Sequence, residues 1–380
     1  MRLLYLSADP GVPVLGHKGA SVHLRELCAA LVQAGAELHI ASPRIEPEGD
    51  ELLAPAEVHP IPAVPAKTPD PVAVTGLTQA QADAVTTLAR RLGAQAVYER
   101  FSLYSAAGVR TAAALGLPHA LEVNAPLREE AARYRTLLHP ELAARLESEV
   151  MAATDRVLAV SEPLAATLAH QGVEAAKIEV VPNGVCAARF GSPRRDPARF
   201  LVGFAGSLKP WHGVEVLVDA LTRVPQAHLQ VVGHGPLEHL LERLPAERVT
   251  RLGARPHAET IELMAGWDVG VAPYMPIDGF WFSPLKVLEY MAAGACPVCS
   301  DLGEARELLG GGGRDERGVL VRAGDPGALA QAIAALARDR ERARRLGQRA
   351  RAWAALHRSW SVNAQRALAA LEPRRRRSAA

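Results

Sequence analysis

The chain has 380 residues, 49% of them hydrophobic and 4% aromatic, and its formal net charge is +2. That length and apolar fraction call for two or more domains with substantial cores, while the balanced charge and scarce aromatics argue against a nucleic-acid partner. No uncharged apolar run is long enough to cross a bilayer and Leu3–Leu6 is too short for a signal peptide, so the expected location is the cytoplasm.

In chain order, strands and helices alternate. A strand at Leu3–Ser7 leads through the glycine-punctuated loop Asp9–Ala20 into a helix over Ser21–Ala34, with Leu24, Leu27 and Leu31 on one face and Gly35 as its stop. The loop lacks the dinucleotide-binding spacing of glycines, but the amides of Gly19 and Ala20 are placed to approach a phosphate or an acceptor. Pro43–Pro71, rich in proline, reads as a loop. Further strands are expected at Leu38–Ser42, Ala96–Glu99, His119–Val123 and Arg156–Val160. Phe190–Arg199, full of turn formers and charge, reads as a hinge. The pattern then restarts with strands at Leu201–Ala205, Leu229–Val232, Arg248–Leu252, Val269–Ala272 and Pro297–Cys299. After Arg322 the sequence is helical through Leu371. The closing Arg374–Arg377 reads as a solvated tail, with weak attraction to an anionic membrane surface as the lesser alternative. The fold class is therefore α/β, with two doubly wound parallel sheets whose ligands bind at the carboxyl ends of the strands.

Cys296-Pro-Val-Cys299 has the spacing of a redox or metal pair, yet it falls where a buried strand is expected and no second pair accompanies it, which favours packing over chemistry.

Residues 279–300 carry the sharpest signal. Ser283 suits an N-cap and Pro284 the first helical position; Leu285, Leu288 and Ala292 repeat as one buried face, and Gly294 stops the helix. Lys286 is out of place there, because a cation in the first turn adds to the positive end of the helix dipole unless an anion sits in front. Glu289, one turn on, is placed to accept hydrogen bonds from sugar hydroxyls.

This segment resembles the donor-site helix of the retaining glycosyltransferases of family 4, which have the GT-B fold. Ser161-Glu162, Pro182-Asn183-Gly184-Val185, Phe204 to Gly213 and Val232-Gly-His-Gly-Pro-Leu237 are similar to that family's landmarks, in the same order. The resemblance implies two Rossmann-like domains facing each other across a cleft. An acceptor-side domain would span 1–190, a nucleotide-sugar domain 191–355, a helix crossing back to the first domain 356–372 with Trp353, Trp360 and Leu368 as anchors, and a basic tail 373–380. It also implies transfer of a hexose-type sugar from a nucleotide-diphosphate sugar to a hydroxyl acceptor, with the leaving phosphate oxygen helping to take the acceptor proton. The acceptor could be a polysaccharide, a lipid-linked or inositol glycoside, or a small natural product.

The chain has no Asp-x-Asp pair, so no metal cofactor is expected and cations must meet the leaving diphosphate. Asn124, Lys209, Lys286 and Glu289 are the expected catalytic residues. Gly19, Ser207, His212, Gly235, Ser283, Pro284 and Leu285 are the expected donor-binding ones, with His212 as a hydrogen-bond donor. Several positions depart from the family pattern. Ser207 and His212 stand where an arginine and a lysine are usual, Trp281 where the first of two glutamates is usual, and Asn124 where a histidine is usual. Asp278 or the backbone of Gly279–Phe282 would then hold sugar hydroxyls. The nucleobase would be read by the segment Gly253–Pro256 and the acceptor by Pro43–Pro71 and Leu127–Arg145. For Tyr98-Glu99-Arg100, an acceptor-side role and a structural ion pair are equally open. An epimerase or hydrolase on the same double sheet, or a silent nucleotide-sugar sensor, would share these features; only transfer yields a glycoside.

Overall fold

The computed structural model describes residues 1–16, 18–45, 53, 56–196, 198–276, 280–281 and 283–372. Contacts divide the chain into two compact units. One holds Met1–Gly16, Ala20–Pro182 and the chain from Trp360 on; the other holds the short stretch before Ala20 and Asn183–Ser359.

Among the described residues the first unit has seven strands: β1 (Arg2–Ser7), β2 (Glu37–Ser42), β3 (Glu57–Pro60), β4 (Ala96–Arg100), β5 (His119–Val123), β6 (Arg156–Ala159) and β7 (Ile178–Val180). They form one parallel sheet in the order β3-β2-β1-β4-β5-β6-β7. The second unit has β8 (Phe200–Ala205), β9 (Ala227–Val232), β10 (Val249–Gly253), β11 (Val269–Ala272), β12 (Cys296–Ser300) and β13 (Val319–Val321). These are also parallel, in the order β10-β9-β8-β11-β12-β13. Strands such as Leu3-Leu4-Tyr5-Leu6 are buried along their whole length, as expected where helices cover both faces of a sheet. Strand order reverses beside β1 and beside β8, which marks the carboxyl ends of those strands as the places for ligands.

Three strands were hidden in the sequence. β3 lies inside the expected loop Pro43–Pro71, while β7 and β13 are three residues each; all three end a sheet, where half-buried residues blur the apolar pattern. The expected variable loop Leu127–Arg145 is mostly helical, as Leu127–Tyr134 and the start of Pro140–Ala153.

Phe190–Arg199 is not a free hinge. The carbonyls of Phe190 and Gly191 accept from Arg351, Arg194 N donates to Ala265 O at 2.7 Å, and the Arg195 guanidinium donates to Ala265 O and Gly294 O. The arginines that suggested a solvated linker tie it down inside the second unit. The division falls instead at Pro182/Asn183, ahead of 190/191, and the chain rejoins the first unit at Trp360, after 356. Arg358 is held by Glu304 and Glu307, and Val185 pairs with Ser359, so the chain up to there is built into the second unit.

The last helix, Trp360–Ala370, joins the first unit through Trp360, packed edge-on against His23, through Asn363 Nδ2 donating to Pro182 O, and through Arg366 bound to Glu179. Of the expected anchors, Trp360 is buried and Leu368 half-buried. Trp353 is on the preceding helix Arg340–His357, under the guanidinium of Arg317. Arg374–Arg377 lies outside the described residues.

Cys296 and Cys299 are fully buried in β12, and burial pushes both thiols up to about 12, so they are packing residues.

Candidate functional site

At the carboxyl end of β8 the backbone turns through Gly206, at φ 135°, into Ser207-Leu208-Lys209 and a 3-10 turn at Pro210–His212. The loop after β9 packs on it backbone to backbone. Leu208 N donates to His234 O and Leu237 N to Leu208 O, and a Cβ on Gly233 would sit 2.1 Å from Gly206 O. Gly235 is under the same constraint, 2.6 Å from Leu208 O. These glycines are required because side chains would force the two loops apart.

The helix facing this turn runs Leu285–Ala292 and stops at Gly294, at φ 70°. Tyr290 fixes its position: the phenol oxygen accepts from Ala205 N at 3.0 Å and the ring packs edge-on against Trp267. Ser283 is not its N-cap. Pro284 occupies that place, with no side-chain bond, because the Ser283 hydroxyl donates to Glu304 and accepts from Asn183 N at 3.0 Å. The first-turn amides are thus left without a side-chain cap. The buried side also differs from expectation: Leu285 is half-buried, and Val287 through Ala292 are buried all round.

Lys286 reaches back from this helix to the Gly206 turn, where a Cβ on Gly206 would lie 2.8 Å from its Nζ. Nζ is buried with no hydrogen-bond partner among the described residues, 4.5 Å above the Phe204 ring and 5.4 Å from that of Tyr274. Burial lowers its pKa to about 7, against the opposing pull of Glu289. The aromatic faces compensate part of the desolvation of the ammonium but cannot replace its hydrogen bonds. Lys286 and Glu289 do not form an ion pair. Glu289 instead accepts from His257 Nε2 at 2.6 Å, both side chains being nearly buried. His257 opens the helix His257–Met264, just beyond the Gly253–Pro256 segment. The sequence reading missed it, since no local pattern links two residues 32 apart.

His212 does not fit its expected role. Its Nδ1 is 2.6 Å from Ser207 O, and a carbonyl only accepts, so Nδ1 carries the proton. Burial, then Lys286, lowers its pKa to about 3, so the ring is neutral and Nε2 is an acceptor rather than a donor to phosphate. Ser207 is half-buried, with its hydroxyl 3.4 Å from the same ring nitrogen. Lys209 is half-buried over the Trp211 ring, 4.8 Å from its centroid. Trp281, where a glutamate was absent, is buried; Asp278, Gly279 and Phe282 lie outside the described residues. Lys286, Glu289, Ser207, Lys209, His212, Gly235, Ser283, Pro284 and Leu285 all belong to the second unit. What they offer chemically is an uncapped helix end, a buried cation and glycine-lined backbone, the equipment of a phosphate site.

The first unit holds Asn124 and a different arrangement. Glu122, buried at the end of β5, lies 3.0 Å from His23 Nε2 and accepts from Arg100 Nη1 at 2.7 Å, from the Tyr98 hydroxyl at 2.9 Å and from the Asn124 amide. Burial pushes this carboxyl up, but His23 and Arg100 more than reverse that and hold it well below the usual carboxylate range. Asn124 therefore spends one N–H on Glu122 and keeps the other. Glu99 does not pair with Arg100: it is buried against His119 Nε2 at 3.1 Å, a structural contact. Gly19 opens the helix Gly19–Gln33, and a Cβ there would meet nothing within 4 Å.

Two family models match the chain, and they meet between 189 and 199 rather than at Pro182/Asn183. Residues 17–189 match the family model described as Glycosyltransferase Family 4, and residues 199–339 that described as Glycosyl transferases group 1. A D-inositol 3-phosphate glycosyltransferase of Nocardia farcinica is 30% identical over 246 residues, 58% of this chain and 52% of that protein. The chain spans about a third to a little over half the length of the curated relatives it matches first. Sucrose-phosphate synthase from Thermosynechococcus elongatus aligns with TM-score 0.75 at 20% identity, covering 96% of this chain and 97% of the other. Anabaena HepE, solved in complex with UDP-glucose, aligns with TM-score 0.74 at 21% identity, covering 98% and 99%. These likenesses establish the fold: two Rossmann-like α/β units of the GT-B type.

Proposed function

We propose that this chain, which belongs to the glycosyltransferases of group 1 and family 4, moves a hexose-type sugar with retention from a nucleoside-diphosphate sugar to a hydroxyl acceptor without a catalytic metal. The observation that carries the reading is Lys286: a buried ammonium without a hydrogen-bond partner among the described residues, at the uncapped start of a helix and against the Gly206 turn. A protein leaves such a group unpaired where a ligand completes it, and a diphosphate has the right charge and size.

In this reading Lys286 and the first-turn amides hold the diphosphate, and their attraction grows as negative charge develops on the leaving group. Lys209 adds a second cation. Glu289, fixed by His257, accepts from the ribose hydroxyls. Neutral His212 supports the Ser207 turn and leaves Nε2 to accept from a sugar hydroxyl. Among the described residues no side chain of the second unit's site is placed as a general base, which suits a front-face mechanism in which the leaving phosphate oxygen takes the acceptor proton. Asn124, in the first unit, has its remaining N–H free to donate to a hydroxyl. The named activities of the relatives, among them D-inositol 3-phosphate and phosphatidyl-myo-inositol glycosyl transfer, put inositol-type acceptors first among those to try. A cytoplasmic location and weak membrane association belong to the same reading and are checked by cell fractionation and vesicle sedimentation. No described helix is long and apolar enough to cross a membrane.

The test is incubation with UDP-glucose or GDP-mannose and a panel of hydroxyl acceptors, with product read by mass spectrometry and anomeric NMR. A glycoside of retained configuration supports the reading. A new nucleotide sugar would indicate an epimerase, free sugar a hydrolase, and binding without turnover a sensor.

A further inference from the structure

The parallel pairing of β2 with β3 places His39 opposite Glu57 and Ala41 opposite His59. Since side chains alternate along a strand, Glu57 and His59 share a face, and His39 on the neighbouring strand joins them. His39 Nδ1 lies 3.2 Å from His59 Nε2 and 3.4 Å from Glu57 Oε2, and His59 Nε2 lies 3.6 Å from the same oxygen. Zinc bonds of about 2.0–2.1 Å to nitrogen and carboxylate oxygen, in a tetrahedron, require ligand–ligand edges of about 3.3–3.4 Å. The three measured edges bracket that value, so one point lies at bonding distance from all three atoms.

The surroundings suit a cation as well. Metal on His39 Nδ1 would leave the proton on Nε2, which is buried without a hydrogen bond among the described residues and lies 3.7 Å from Glu37 Oε1. Glu37 is itself held by Arg2 at 2.8 Å. A carboxylate facing the far nitrogen of a histidine is the usual outer support of a metal-binding imidazole. Arg91 acts on His59 in the opposite sense, and the Glu57 carboxylate stands against it. We infer that His39, Glu57 and His59 form a binding site for a divalent transition ion, zinc by its mixed nitrogen and oxygen donors, which clips the edge strand β3 to β2. The site belongs to the first unit and none of its residues serves the proposed sugar transfer. β3 has four residues and pairs on one side only, so a metal bridge replaces the second neighbour that an interior strand would have.

The full chain, freed of metal by EDTA and then of EDTA by gel filtration, is titrated with zinc against a chromophoric chelator and, separately, with cobalt(II). The expected result is one zinc per chain, an intense visible cobalt band of tetrahedral type, and a rise in melting temperature with zinc. Glu57→Gln changes a side chain 71% exposed and should leave the apo fold intact while weakening zinc by tenfold or more; His59→Asn should abolish the site. Absence of stoichiometric zinc in the parent protein overturns the inference. So does zinc binding of unchanged affinity in Glu57→Gln, which places the ion elsewhere even if His59→Asn fails to fold.

Discussion

Glu122 in the first unit and Lys286 in the second are both charges removed from water, and the two units treat them in opposite ways. Around Glu122 the chain supplies His23, Arg100, Tyr98 and Asn124, so its lone pairs are satisfied and its charge is stabilised. Around Lys286 it supplies two aromatic faces and no hydrogen-bond acceptor among the described residues. The first arrangement is complete without a ligand; the second is the one proposed to be completed by an anion. A buried charge is thus a pointer to function when its partners are missing, and a pointer to architecture when they are present.

The largest effect expected from this contrast is on stability in the first unit. Glu122→Gln leaves Arg100 buried without its counter-charge and should cost about 3–5 kcal/mol, read from urea unfolding. Because the folded carboxyl titrates below its unfolded value, the parent's advantage is fully present above the unfolded pKa of about 4.3 and is lost as pH falls toward the folded pKa. A stable but inactive Glu122→Gln would break the comparison, since the carboxylate would then serve chemistry.

Lys286→Met should behave in the reverse manner. Transition-state stabilisation should fall by about 2.7–4 kcal/mol, a loss of order 10²–10³ in kcat, by analogy with loss of one oxyanion donor. The unliganded variant should melt no earlier than the parent at pH 7. The sign follows from a folded pKa near 7 against about 10.4 unfolded: between those values the unfolded state holds the extra proton. The parent should therefore gain stability relative to the variant as pH rises through that window. An early-melting variant would make Lys286 a structural residue like Glu122.

His257→Ala removes the group that orients Glu289. Donor KM should rise by the equivalent of about 1.5–2 kcal/mol while kcat changes little, since the lost hydrogen bond is to a charged group that binds rather than reacts. An unchanged KM would assign the pair to packing. The smallest effect is expected from chelation: EDTA should leave turnover intact, measured also in Glu57→Gln so that loss of a structural ion is not mistaken for loss of a catalytic one.

How much of this was legible in the sequence follows from range of interaction. The long, fully apolar strands and the Ser283–Gly294 segment could be read because their signals are local. β3, β7 and β13 were not, being short edge strands with mixed polarity. Ser283 was misassigned as a cap because its partners, Asn183 and Glu304, are distant in sequence. For the same reason the partners of Glu289 and Glu99 were invisible. The hinge was misread because proline and arginine mark both solvated linkers and segments that arginine forks fasten to carbonyls; only the contacts of Arg194, Arg195 and Arg351 distinguish the two.

Whether a diphosphate completes Lys286 is tested most directly by proton linkage. Calorimetric titration of UDP or GDP into the protein at pH 8, in two buffers of different ionisation enthalpy, reports protons exchanged on binding. With a free-state pKa near 7, Lys286 is mostly neutral at that pH, and an adjacent diphosphate should charge it. The expected result is uptake approaching one proton per nucleotide bound, abolished in Lys286→Met. Tight binding with no proton exchange, or equal uptake in the variant, would contradict it.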